Sequence, residues 1–333
     1  MRRLPLAVAV ASLLALAGCG DTKPKAPITQ VPSTERPAVK AAQNPDLSSF
    51  PAAKGKSLQG IISELGAQVG GANLGTSDFT TGTTRIAFGS IDEQSNFIYG
   101  PSVIYVQPKQ GHKAATGPFA APADVLLTQA KFRSKQALTE GSPLAAIYAG
   151  QVPFPKAGTY QAITVTRATD GKVIAGAAEF KVVRKAADPI PGVGEKMPRL
   201  QTDTIGTVKG LTDLLDTREP PSDMHAVSLA DVVGSKPVAL IIATPQLCTS
   251  RVCGPVVDEA LQMRSTYGDR MTFIHQEVFR DNNPNKGYRA PLQALHLQTE
   301  PWLFVVGRDG RITARLEGSF GVHAFEAAVK TGL

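Results

Sequence analysis

The stretch Pro237-Val238-Ala239-Leu240-Ile241-Ile242-Ala243-Thr244-Pro245-Gln246-Leu247-Cys248-Thr249-Ser250-Arg251-Val252-Cys253-Gly254-Pro255 decides the reading of this chain. Pro237–Ala243 is an unbroken apolar run, the pattern of a central strand covered on both faces rather than of a half-solvated one. Two cysteines follow, and then Pro255, whose fixed φ and missing N–H suit the first turn of a helix. The spacing predicts a helix over Pro255–Tyr267, with Val256, Val257, Ala260 and Leu261 inward and Gly268 as its stop.

Working outward, Met271–Val278 reads as a second strand. Trp302–Val306 and Ile312–Leu316 read as a hairpin turning at Asp309-Gly310, and His323–Thr331 as a closing helix. Upstream, Ser228-Leu229-Ala230-Asp231 has the form of a capped helix start. Strand alternating with helix predicts an α/β domain over 205–333. A Pro/Gly-rich linker, 186–204, precedes it and contains Asp188-Pro189-Ile190-Pro191-Gly192.

Before the linker the period falls to two. Arg85–Ile91, Ser102–Val106, Tyr160–Thr166 and Glu179–Val183 are short, β-branched or aromatic, and bounded by turn residues, and Asp170-Gly171 is a hairpin signal. Lys56–Val69 places Leu58, Ile61, Ile62, Leu65 and Val69 on one helical face. Strands with no helices between them predict an antiparallel sandwich, here over 52–185. The phrase Val152-Pro153-Phe154-Pro155-Lys156-Ala157-Gly158-Thr159-Tyr160 resembles a turn of small immunoglobulin-like modules in bacterial exported proteins. That resemblance implies an immunoglobulin-like β-sandwich, and without a catalytic grouping its expected role is spacing or docking.

The N-terminus reads as an address. Arg2 and Arg3 precede an apolar run, Leu4 to Leu16, of signal-peptide length and too short to span a bilayer comfortably. Leu16-Ala17-Gly18-Cys19 resembles the lipobox of bacterial lipoproteins, which implies removal of residues 1–18 and a lipid on the Cys19 sulfur. Residues 19–51, rich in Pro, Lys, Ala and Ser, are expected to be a disordered tether. The mature protein is thus expected at the cell membrane, lipid-anchored and facing outside the cytoplasm. The length of 333 residues, 42% hydrophobic, suffices for two cores. A net charge of +7 is scattered, with no basic stripe interleaved with aromatics, which argues against a nucleic-acid partner.

Of three cysteines, lipid takes Cys19, leaving Cys248 and Cys253 in the folded part. On a regular helix, residues three apart have Cα atoms about 5 Å apart, within disulfide reach; residues five apart are about 8.7 Å apart, which is too far. Either Cys248 lies in a loop before the helix, or the helix must open for the two to bond.

Pro255-Val256-Val257-Asp258-Glu259-Ala260 resembles the active-site helix of thioredoxins, and Thr299-Glu300-Pro301-Trp302-Leu303 resembles the segment that carries their cis-proline. With the order of elements, this resembles the thioredoxin-like superfamily over about the last 125 residues, in a Cys-x4-Cys variant. The resemblance implies thiol–disulfide exchange on exported proteins, with Cys248 attacking, Cys253 resolving and Pro301 lining the site. Arg251 and the helix N-terminus are expected to stabilise the Cys248 anion, while a Glu300 carboxylate close by would oppose it.

Three alternatives stay open: a binding module with a structural disulfide, a copper-handling protein of the Sco type, and a peroxiredoxin. Thr244-Pro245-Gln246-Leu247-Cys248-Thr249 resembles the bacterioferritin-comigratory peroxiredoxins, but the Arg those enzymes carry before the late strand is replaced by the region of Pro301. For the Sco type the nearest imidazole, His296, is off register. His275 is expected to be a satisfied core residue and His112 an exposed one, while His225 and His323 have no derivable place near the cysteines. No metal-ligand or phosphate-loop spacing is present, so no cofactor or metal is expected. Cys19→Ser is expected to abolish palmitate labelling and release the chain from the membrane fraction; retention there would refute the lipid anchor.

Overall fold

The computed structural model describes residues 27–111, 114–138, 142 and 144–333. The signal segment, Cys19 and His112 lie outside the described residues. Among those described, no helix is long and apolar enough to cross a membrane.

Two short helices, α1 (Arg36–Ala42) and α2 (Leu58–Leu65), precede a β-domain. It comprises β1 (Gln68–Leu74), β2 (Gly82–Ile91), β3 (Ser102–Pro108), β4 (Thr116–Ala120), β5 (Ala123–Val125), β6 (Ala146–Phe154), β7 (Gly158–Arg167) and β8 (Val173–Val182). They form one sheet in the order β4-β3-β7-β8-β1-β2-β6-β5. The Asp170-Gly171 turn joins β7 to β8 as expected.

What the structure shows is a β-domain of eight strands joined in one sheet. β1 pairs with β2 on one side and, in parallel, with β8 on the other, joining what two separate antiparallel sheets would keep apart. The sheet curls so that Ile86 and Phe88 of β2, Ile104 and Val106 of β3, and Phe154 and Phe180 meet in one core. The opposite face of β3, through Val103 and Tyr105, packs under Leu58 and Ile61 of α2. Period-two alternation with both faces covered explains why β3 reads as a solid apolar run.

The helix written as Lys56–Val69 stops at Leu65, because Gly66 takes the left-handed conformation (φ 56°) that ends a helix, and Val69 belongs to β1 and is exposed. The tether expected up to Pro51 is packed from Ile28 onward, since Val31, Ala38, Val39 and Ala42 enter the β-domain core. Few apolar residues suffice when helical spacing aligns Val39 with Ala42.

The second domain runs α3 (Leu229–Val232), β9 (Val238–Ile242), α4 (Cys253–Tyr267), β10 (Thr272–Gln276), α5 (Ala290–Ala294), β11 (Trp302–Val306), β12 (Ile312–Glu317) and α6 (Val322–Thr331). Its sheet order is β10-β9-β11-β12, with β9 and β10 parallel and the other pairs antiparallel. That order and polarity are those of the thioredoxin-like fold, as expected. β9 is buried throughout, with Ala239 and Ile241 facing α4 and α6 while Val238, Leu240 and Ile242 face Leu229 and Leu292. Residues 186–204 are no free linker: Gly194 and Met197 N–H groups donate to Ile312 and Gly310, and Glu195 accepts from Ile312.

The domains are bolted together by buried polar groups. Asp124 at β5 accepts from the His323 and Ala324 amides at the start of α6 (3.0 and 2.8 Å), an N-cap supplied from another domain. Glu317 accepts from the Ser77 and Asp78 amides (2.8 and 2.9 Å), and from the hydroxyls of Ser77 and Thr299. Removing a buried acceptor leaves its donors unpaired, at about 1–3 kcal/mol. Glu317→Ala is therefore expected to lower stability by about that amount in denaturant unfolding, and Glu317→Gln by less; an unchanged midpoint for Glu317→Ala would refute this bolt.

Candidate active site

The site forms where β9 ends and α4 begins. The chain leaves the sheet after Ile242, and Cys248 sits in the loop, with the Arg251 amide turning back to the Cys248 carbonyl (3.3 Å). Val252 is the N-cap and Cys253 the first helical residue. Of the two arrangements left open by the spacing, Cys248 in a loop ahead of an intact helix is the one found. The helix starts two residues before the expected Pro255, because the N-terminal turn has no intrahelical acceptors to lose and tolerates proline at its third position.

The two sulfurs are unbonded to each other and unlike in surroundings. Cys248, 8% exposed, has its Sγ 3.1 Å from the Ser250 hydroxyl. Its thiol is lowered to about 6, above all by a hydrogen bond from the Cys253 thiol, then by the Ser250 hydroxyl and the backbone N–H groups of Cys253 and Ser250, which outweigh burial. The Cys253 donors begin the open first turn of α4, where the helix dipole also favours an anion, and the Ser250 donors come from the loop just before it. Cys253 is wholly buried, and burial pushes its thiol well above the ordinary range, with the hydrogen bond to Cys248 next. At neutral pH Cys248 is mainly thiolate while Cys253 holds its proton and donates it.

Pro301 follows a cis peptide bond after Glu300 and is buried, its carbonyl accepting from the Gly318 amide (2.8 Å). Glu300 does lie within electrostatic reach of the sulfur. Burial, then the Cys248 charge, raises its carboxyl to about 7, so the acid yields its charge more readily than the thiolate does. Trp302 fills core, stacked on Phe304 with its indole N–H donated to the Thr299 carbonyl (2.9 Å). Arg251 departs from expectation: it is exposed, with φ of 59°, and is not among the groups that lower Cys248. The local amides and hydroxyl take the role foreseen for it. His296 is exposed on the loop after α5.

Sequence reasoning missed Ser250, although a hydroxyl two residues after a loop cysteine is placed to bond it. It also missed the β-domain's part. A cavity of about 180 Å³ is walled by Ser250, Thr299, Glu300 and Gly318 on one side and residues 74–77 on the other. There Ser319 N donates to Gly75 O (3.0 Å), so the two backbones meet beside the proline loop.

No family model and no curated protein matches this chain. Among solved structures it is similar to a chain assigned as the thiol:disulfide interchange protein DsbE from Chlorobium tepidum, at 14% identity and a TM-score of 0.30, covering 43% of this chain and 98% of that one. It is also similar to the thioredoxin-like superfamily protein SPOA0173, at 15% identity and a TM-score of 0.26, covering 32% and 84%. CopC from Methylosinus trichosporium OB3b matches at 16% identity and a TM-score of 0.20, covering 34% and 95%. The strand order described above, rather than these likenesses, defines the thioredoxin-like fold of the second domain.

A thiolate reacts and a thiol does not, so alkylation of Cys248 is expected to fall as pH drops through about 6. Ser250→Ala removes a donor to the anion and should move that midpoint upward, while Arg251→Ala should leave it in place. Stopped-flow alkylation against pH reads both, and an Arg251-dependent midpoint would overturn this account.

Proposed function

We propose that this chain is a thiol–disulfide oxidoreductase, tethered through lipid on Cys19 to the outer face of the cell membrane and acting on exported proteins. The inequality of the two cysteines supports this reading most directly: a donor-caged Cys248 lowered to about 6 stands against a buried, proton-holding Cys253. A structural disulfide makes no demand for such a difference, whereas exchange needs one nucleophile and one resolving thiol.

In the reducing direction the Cys248 thiolate attacks a substrate disulfide. A mixed disulfide forms and one substrate sulfur leaves as thiolate. Cys253 then gives up its proton and attacks Cys248 Sγ, closing the Cys248–Cys253 bond and releasing the second substrate thiolate, so two electrons pass to the substrate. The reverse sequence oxidises a dithiol. Pro301, beside the pair, presents backbone to the incoming sulfur. For the copper-handling alternative, the one cluster of three metal-ligating side chains among the described residues contains neither cysteine.

Cys253→Ser in cells is expected to leave exported proteins covalently held on Cys248, visible as a reducible high-mass species absent from the Cys248→Ser/Cys253→Ser double variant. The pair should have a reduction potential above about −300 mV. A lower potential together with no trapped partner would sink the proposal in favour of a structural bond.

A further inference from the structure

Between the strap 186–204 and α3 the chain runs irregularly past the outer strand β10, where the His275 amide donates to the Met224 carbonyl (3.0 Å), and there Asp216 and His225 meet His275. All three side chains are buried, and each offers one ligating atom within 4.8 Å of the others. Asp216 Oδ2 lies 3.1 Å from His225 Nε2 and 3.3 Å from His275 Nδ1. Atoms bound at about 2.1 Å to a common ion lie about 3.0–3.4 Å apart, so both spacings fit one coordination sphere.

The hydrogen bonding of His275 makes the stronger case. Its Nε2 is 3.1 Å from the Ala243 carbonyl, which can only accept, so Nε2 carries the proton. Nδ1 of a neutral ring then presents a lone pair to a carboxylate oxygen. Two acceptors at this separation repel unless a cation stands between them, and Nδ1 indeed has no hydrogen-bond partner although it is buried. An imidazole that gives its far N–H to a backbone carbonyl is the usual posture of a metal ligand. The carboxylate is oriented in the same manner, receiving the Arg218 amide on Oδ1 (2.8 Å) and the Ser222 amide on Oδ2 (2.7 Å). His225 would ligate through Nε2, the nitrogen that faces Asp216; its far Nδ1 is buried without a partner, so that ring lacks the backbone anchor His275 has. Ser222 Oγ, 3.3 Å from His225 Nε2, is the neighbouring oxygen. Nearby Glu277 is buried, held by the Thr217 amide and hydroxyl, and electrostatically coupled to His275.

We infer that Asp216, His225 and His275 bind one divalent transition-metal ion of borderline softness, of the zinc or iron(II) class. Two imidazoles and a carboxylate suit such ions and do not suit magnesium or calcium. The site is closed to solvent, and it staples the irregular run carrying Asp216 and His225 to β10. Its role is structural, separate from the cysteine chemistry. The competing occupant is a proton, which would make His275 an imidazolium paired with Asp216.

The test uses the full chain carrying Cys248→Ser and Cys253→Ser, so that no thiol can ligate, refolded with metal present and then freed of loose metal. One equivalent of cobalt(II) is expected, with ligand-field bands of nitrogen and oxygen coordination, displaced by zinc. Single variants His225→Asn and His275→Asn, checked for folding by circular dichroism, should bind more than about a hundredfold more weakly. Should those variants fail to fold, the cobalt stoichiometry and bands of the histidine-intact chain decide. Failure to take up one equivalent, with His275 Nδ1 seen protonated by nitrogen-15 NMR, overturns the inference. So does binding that persists undiminished in the folded His225→Asn and His275→Asn variants.

Discussion

Everything at the cysteine site depends on where the first turn of α4 is seated. The Cys253 amide at the head of that turn points at the loop leaving β9, and a sulfur placed there meets it, the Cys253 thiol and the Ser250 donors rather than bulk water. The same seating carries Cys253 into the core, because the helix's first residue lies against the end of the sheet. One geometric fact thus makes one thiol acidic and its partner reluctant. A regular Cys-x-x-Cys turn would put both sulfurs on the helix; the two extra residues here let Cys248 lie outside it while Cys253 begins it.

α4 is held in place by burial almost all round. Val256, Val257 and Ala260 face the thioredoxin-like core, as their spacing suggests, but Asp258, Glu259 and Gln262 are buried too. They face the β-domain: Asp258 pairs with Arg218 and accepts from the Ser134 amide, and Gln262 accepts from the Gln129 amide. Glu259 has neither oxygen partnered, and burial raises its carboxyl well above the ordinary range, so it is seated as the neutral acid. The β-domain is therefore more than a spacer. It covers the outer face of the active-site helix and walls one side of the cleft beside Glu300.

The second domain was legible in the sequence because its signals are local. A seven-residue apolar run, a capped start at Ser228, a Pro-bearing helix and an Asp-Gly hairpin each specify an element, and only one familiar order of those elements fits. The first domain was less so. Period-two strands give existence and direction of burial but not pairing, and nothing local tells β1 to add in parallel to β8. Polar residues on α4 read as solvent-facing, since their partners stand more than a hundred positions away, as Ser134 does from Asp258. The Arg251 expectation failed for a related reason: a charge adjacent in sequence can point to solvent, while nearby amides act at closer range.

The strap 186–204 has a further consequence. β12 is the last strand of its sheet, and an outer strand offers a row of free backbone donors and acceptors to any other extended chain. By laying residues 194–197 along the 310–312 corner, the connection between domains occupies part of that row. A protein held at high local density gains from an edge already taken, because unfastened rims on neighbouring copies would otherwise knit together.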